Sequence, residues 1–296
     1  MRQSVTIRRN RTVGMRFISS RGVEAGSLRE MTAFRLSRDL FSLFRPDSRI
    51  ILRAFLPTSW FGSSSTDPKE ANRMSPESNQ GLVEYYARRA AEYETIFSRP
   101  ERQEDLGILR GWIGDAFSGM NILEIACGTG YWTEVISRTA KSVLATDVNE
   151  ETLAIARSKG MNSAKVRFQK ENALSLLHLV NQRFNAGFAG FWWSHLPMRG
   201  VRDFLNGFHS ALQPGALVCF IDNRFVEGSS TPISRRDSEG NTFQMRRLSD
   251  GSVHEVLKNF PDEGRLRSSL SGLATELEVR WLRYYWLLSY RACDAA

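Results

Sequence analysis

Cysteine is scarce in this chain, with only Cys127, Cys219 and Cys293 among 296 residues. Three thiols so far apart exclude a disulfide framework and a thiolate zinc centre. Cys219 sits in an apolar run, where an inert buried thiol is expected, and Cys127 lies in a turn that needs only a small side chain. A reducing, cytoplasmic setting is the matching expectation, with no metal. Long hydrophobic runs are also missing. The longest candidate, IILRAFLPTSWFG, is interrupted by Arg53 and Pro57 and falls short of the roughly 18 apolar residues a membrane helix needs. No internal repeat is visible.

What is present in excess is positive charge, but only locally. The formal net charge of +8 would suggest a nucleic-acid or membrane partner if it were spread along the chain. Residues 1–75 hold 14 of the 40 basic and 6 of the 32 acidic residues, which leaves 26 of each in residues 76–296. The first quarter is rich in Arg and Ser and closes on the linker-like GSSSTDPKEANRM. Residues 1–75 are therefore expected to be a basic, poorly structured extension. It reads as a targeting presequence, as a basic arm for an anionic partner, or as sequence ahead of a working start at Met74. Residues 76–296 form the expected folded domain.

From residue 80 onward the patterning is regular. GLVEYYARRAAEYETIF (81–97) and QEDLGILRGWIG (103–114) space apolar positions three and four apart, which predicts helices. Strand-like and helix-like runs then alternate: MNILEI with YWTEVISRTA, SVLATD with EETLAIARSKG, KVRFQ with LSLLHLV, FNAGFAGFW with VRDFLNGFHSAL, and finally ALVCFID. Five strands alternating with helices imply parallel pairing through right-handed crossovers. Their apolar character throughout implies helices on both faces. The expected fold is α/β, Rossmann-like and doubly wound. Beyond it, GNTFQMRRLSDGSVHEV carries an Asp-Gly hairpin signal, DEGRLRSSLSGL reads as a helix, and ELEVRWLRYYWLLSYRA fits one strand or two.

The first strand-to-helix turn reads Glu124-Ile125-Ala126-Cys127-Gly128-Thr129-Gly130. Such turns lie at the carboxyl edge of a parallel sheet, where ligands bind, and glycine permits positive φ and close backbone approach. Asp147 ends the second strand 19 residues after Gly128, the place of an acid that accepts from the two hydroxyls of a ribose. A dinucleotide would also want G-x-G-x-x-G for its pyrophosphate, but Thr133 stands where the third glycine belongs. Glu124 in the approach would repel phosphate and suits a cationic ligand that carries an amino acid.

These motifs together resemble the class I S-adenosylmethionine-dependent methyltransferases over residues 80–290, especially the small-molecule group that includes the ubiquinone and menaquinone biosynthesis enzymes. ILEIACGTG looks like the family's first motif and LATDVNEETLAIAR like its second. VRFQKENAL is similar to the third, FNAGFAGFWWSHLP to the fourth strand and its mouth, and ALQPGALVCFIDNR to the fifth strand and the turn before it. The resemblance implies a mainly parallel seven-stranded sheet and S-adenosyl-L-methionine as cofactor. It also implies roles: Glu124 at the methionine amino group, Ala126, Gly128 and Gly130 in the loop, and Asp147 on the ribose. Val148, Asn172 and Ala173 would meet the adenine, Phe191 would lie at the mouth of the fourth strand, and Tyr86 and Tyr93 would come from a covering helix. Ala126 replaces the usual first glycine, and Asn172 an acid common at that position.

Methyl transfer from a sulfonium is an in-line displacement that needs a held nucleophile and a dry pocket. A base is required only where the nucleophile must lose a proton. His195 is the histidine nearest the expected mouth and the candidate catalytic base; the competing reading is a cap or a packing role. Trp192 and Trp193 line an acceptor pocket, or else one fills the core while the other covers the cofactor, since successive strand residues face opposite ways. Arg224 is the candidate to orient an anionic substrate, against a surface ion pair. The insert from Glu227 to Pro261 is expected to close over the pocket, offering His254, Lys258 and Asn259 as further polar groups.

The expected function is methyl transfer to the N, O or C nucleophile of a small molecule, with oligomeric state left open. The alternative is an RNA or other nucleic-acid methyltransferase that uses the basic arm. Against it, no Asp/Asn-Pro-Pro-aromatic run follows the fourth strand, no Pro-Cys pair offers a covalent cytosine route, and the domain is neutral.

Overall fold

The computed structural model describes residues 6–10, 14–18, 24–25, 76–176, 179 and 184–293, with side chains from residue 80 onward. The chain divides into two compact units, Met1–Ser64 and Ser65–Ala296. In the first, Thr6–Asn10, Gly14–Ile18 and Glu24–Ala25 pair antiparallel in that order, with Thr6 opposite Ile18. The linker and the amphipathic pieces of residues 26–75 lie outside the described residues.

The second unit begins with α1 (Pro76–Arg89), whose leading proline has the φ a first helical turn wants. The pattern predicts helix through residue 97, but the backbone tightens to 3₁₀ geometry over Ala90–Ser98. That run is long for 3₁₀, whose three-residue turn eclipses side chains at i and i+3. Ala90, Tyr93 and Ile96 fall on one ridge as a result, which an α-helix would have fanned apart. Next comes α2 (Gln103–Ala116), which buries Leu106, Leu109 and Ile113 completely along one stripe.

Strands and helices then alternate as β1 (Asn121–Ile125), α3 (Tyr131–Ser137), β2 (Ser142–Asp147), α4 (Glu150–Ser158), β3 (Val166–Lys170), β4 (Phe184–Gly190), α5 (Val201–Ser210) and β5 (Leu212–Asn223). An insert of β6 (Arg235–Arg236), β7 (Thr242–Arg247) and β8 (Val253–Leu257) follows as a separate three-stranded sheet. Asp250 and Gly251 form its hairpin turn, with Gly251 at φ 85° and Arg247 opposite Val253. Last come α6 (Glu263–Ser269), β9 (Ala274–Trp281) and β10 (Tyr285–Ala292). The final aromatic stretch is thus two strands, turned at 282–284 without a glycine, with Trp281 opposite Trp286.

The main sheet has seven strands in the order β9-β10-β5-β4-β1-β2-β3, parallel except for β10, which runs antiparallel to both neighbours. This is the doubly wound, Rossmann-like arrangement expected from the sequence. The winding reverses between β1 and β4, which lie side by side, so a crevice opens beyond their carboxyl ends.

Apolar clusters cover both faces. One gathers Leu106, Leu109, Ile113, Ile122 and Ile136; the other gathers Leu123, Phe204, Phe208, Phe220 and Trp286. Gly187 in β4 lets α5 approach: a Cβ there would come within 2.8 Å of the Phe208 ring and 2.9 Å of Leu212 Cδ1. Gly187→Ala is expected to lower stability by about 1–3 kcal/mol through overpacking. An unchanged urea midpoint would show that α5 can retreat freely.

Candidate active site

The turn after β1 is built on left-handed backbone. Ala126 has φ 50°, Gly128 φ 56° and Gly130 φ 78°. Glycine adopts this at no steric cost, whereas the alanine Cβ crowds the following carbonyl, by roughly 1–2 kcal/mol. Across the crevice Phe191, which follows β4, is also left-handed at φ 62°. Two non-glycine residues in this region, at the ends of the two strands that flank the switch point, are strain of the kind that collects at functional sites.

Asp147 at the end of β2 holds the turn. Its Oδ2 accepts from Gly128 N at 2.8 Å and its Oδ1 from Asn149 N at 2.9 Å. Burial pushes its carboxyl above the usual range, against the pull of those backbone donors. Glu124 lies beneath the turn, 1% exposed, with Oε2 meeting no hydrogen-bond donor. Burial raises its carboxyl to about 8. A buried acid with an unsatisfied oxygen is costly, and a ligand ammonium is the group that would relieve it.

A mainly apolar cavity opens here. Its wall includes Tyr86, Tyr93, Ala126, Gly128, Asp147 and Val148, then Asn172, Ala173, Phe191, Trp192 and His195. Nine of the eleven residues expected to hold the cofactor thus meet in one wall. Glu124 and Gly130 do not line it: Glu124 is under the floor, and Gly130 faces Ala156 of α4, whose Cβ would lie 3.0 Å from an added Cβ. Asn172 Oδ1 accepts from Leu174 N at 2.9 Å, so one lone pair of the amide oxygen is already used. Leu82, Val83, Asn149, Thr152 and Glu171 also line the cavity and were not anticipated. The first two are apolar positions of α1 that read as core-facing.

A second cavity adjoins the first through Tyr86, Tyr93, Phe191 and His195, which line both. The insert does close over it, through Gln244, Arg246, Val256 and Lys258. His195, in the 3₁₀ turn Trp193–His195, is 2% exposed. Its Nδ1 lies 2.7 Å from Leu257 O, and since a carbonyl only accepts, the ring proton is on Nδ1. Nε2 then accepts the hydroxyl proton of Tyr86 at 2.7 Å. Burial, with Lys258 nearby, lowers the imidazole to about 3, so it is neutral.

Two substrate expectations require correction. Trp193 is core, 3% exposed and edge-on to Phe220 and Trp286, while Trp192 lines the first cavity; neither lines the second. Arg224 is exposed, donates to Leu282 O and lies over the Trp281 ring, because β5 has by then passed the crevice. In the insert, Lys258 is buried against Asp222 Oδ1 at 3.2 Å and Ser194 Oγ at 2.6 Å. Asn259 ties Leu196 O to Asn241, and His254 packs beside Tyr85. No group of three or more potential metal ligands occurs among the described residues, and no described helix is long and apolar enough to cross a membrane.

Residues 122–215 match a family model described as a methyltransferase domain. The chain is similar to DhpI in two solved complexes, one with SAH and one with SAM and HEP. Identity is 25% in both, with TM-scores of 0.61 and 0.60, and 75% and 74% of this chain cover all of that one. A Pyrococcus horikoshii protein, PH0226, shares the fold at 15% identity and TM-score 0.55, over 68% of this chain and 98% of its own. The cyclase SpnF does so at 17% identity and TM-score 0.51, over 73% and 97%. No match is found among curated proteins. The glycine turn, its acid ligand, the strand order and the matched family agree, and the chain is an S-adenosylmethionine-dependent methyltransferase of the class I fold.

Proposed function

We propose that the domain moves the methyl group of S-adenosylmethionine to a small-molecule acceptor held in the second cavity. The observation that carries this reading is that two adjoining cavities share one wall, made by Tyr86, Tyr93, Phe191 and His195. The cofactor supplies a sulfonium-bound methyl group for in-line displacement. Asp147 holds the ribose hydroxyls, Val148, Asn172 and Ala173 face the adenine, and Glu124 compensates the amino group from below. The apolar wall of the first cavity and the cap of β7 and β8 over the second limit water, which strengthens each electrostatic contact within.

In this reading His195 is a positioning residue. Its Nε2 is occupied by the Tyr86 hydroxyl, and an imidazole lowered to about 3 is a poor proton acceptor at neutral pH. It fixes the Tyr86 oxygen at the junction of the cavities, where acceptor and methyl group would meet.

Asp147→Ala is expected to weaken S-adenosylhomocysteine binding at least tenfold, by loss of a charge-assisted hydrogen bond of about 1.5–3 kcal/mol; unchanged affinity by calorimetry would refute the ribose role. Because Glu124 must ionise to meet an ammonium, affinity should rise with pH between 6 and 8, and Glu124→Gln should flatten that slope. A slope that survives the substitution would assign it to another group. For His195, heteronuclear NMR should show a neutral ring protonated at Nδ1 down to about pH 5. Burying it neutral makes stability fall as pH drops below the unfolded value of about 6.5. A ring that titrates near 6.5 in the folded protein would restore the base reading.

A further inference from the structure

The second cavity has a wall of one sign. Arg89, Arg99, Arg102, Arg246 and Lys258 line it, and no Asp or Glu does. Lys258 has its carboxylate partner in Asp222. Among the described residues, no carboxylate lies within ion-pair distance of the four arginines. The folded domain as a whole carries equal numbers of acids and bases, so the concentration belongs to the cavity and not to a basic protein.

Three of the guanidinium groups are held in place by neutral partners. Arg102 is 9% exposed, reaches Asn223 Oδ1 at 3.4 Å and Ser229 Oγ at 3.2 Å, and its buried Nε has no acceptor. Arg246 donates to Thr231 Oγ1 at 2.7 Å and Gln244 Oε1 at 2.6 Å. Arg89 lies over the rings of Tyr85 and Tyr93. Grouping uncompensated like charges in a partly dry site is costly unless an anion completes it. Planar forks fixed on several sides match the oxygens of a phosphate, phosphonate or carboxylate better than ammonium groups would.

We propose that this cavity is a receptor for a small oxyanion bearing at least two negative oxygens, and that the methyl acceptor belongs to that class. The proposal rests on the methyl-transfer reading for the acceptor's fate, but not for the binding of the anion. A neutral or cationic acceptor would leave the buried Arg102 and the half-buried Arg89 and Arg246 without compensation. Arg89 comes from α1, Arg99 and Arg102 from the stretch between Ser98 and α2 (Arg102 in a short 3₁₀ turn, Pro100–Arg102), and Arg246 from the insert, so the receptor needs both the start of the domain and the insert.

The test uses the full chain saturated with S-adenosylhomocysteine. Inorganic phosphate, methylphosphonate and succinate are titrated in separate arms against chloride at constant ionic strength, by calorimetry and thermal shift. At least one arm should show saturable binding that Arg102→Gln or Arg246→Gln weakens at least tenfold, with S-adenosylhomocysteine affinity changed less than threefold. The arms tell a phosphorus oxyanion from a dicarboxylate. Arg99→Gln alters an exposed side chain, so it should fold normally and weaken the same anion at least threefold. Binding no stronger than that of chloride in every arm, or indifferent to these substitutions, would overturn the proposal. So would anion binding abolished by saturating S-adenosylhomocysteine, which would give the arginines to the cofactor's own carboxylate. Failure of the wild-type chain to bind S-adenosylhomocysteine without anions would instead sink the methyl-transfer reading.

Discussion

One carboxylate organises the cofactor side of this domain. Asp147 reaches from the end of β2 to the backbone of Gly128 and Asn149, so it joins the turn after β1 to the start of α4. The turn needs that anchor because three of its residues are left-handed and one of them is alanine. Strain of this kind persists only where surrounding contacts over-determine it. The same oxygens lie in the cavity wall, so the group that shapes the site also faces its ligand.

On the acceptor side, Asp222 has the matching role. Its Oδ2 accepts from Ser194 N at 2.8 Å and its Oδ1 from Asn223 N at 2.7 Å, while Lys258 meets the same Oδ1. Burial alone would raise this carboxyl, but Lys258 and the backbone donors bring it below its ordinary value. One fully buried acid thereby ties the end of β5, the turn after β4 and the last residue before the insert rejoins the domain. Such a pair is weak evidence for net stability; its effect is to fix where the cap sits. His195 lies between the cap and α1, with Leu257 O on one nitrogen and Tyr86 on the other, so both cavities inherit that registration.

Much of the fold was legible because its signals are local. Alternating runs marked five strands, Asp250-Gly251 marked the hairpin, and the glycine turn marked the edge where ligand binds. One feature misled and one was left open. Ala90–Ser98 carries good helix formers, yet it tightens to 3₁₀ geometry, which brings Tyr93 and Ile96 onto one ridge. ELEVRWLRYYWLLSYRA has no turn residue, yet it folds back so that Trp281 faces Trp286.

The sequence by itself determined the strand-helix alternation, the glycine turn and the spacing of Glu124 and Asp147, through periodicity and turn chemistry that act over about 20 residues. The methyl donor was implied by the resemblance those motifs carry. Only the tertiary structure decided that Trp192 faces the cavity while Trp193 fills the core, and that Arg224 points away. It alone placed Tyr86 on His195, 109 positions along the chain, and Arg102 beside Asn223, 121 positions along. In the sequence Arg89 lies within the first predicted helix, and Arg99 and Arg102 fall between the two predicted helices. Their common focus exists only because the insert after β5 closes against the helix that begins the domain, and no local pattern encodes that meeting.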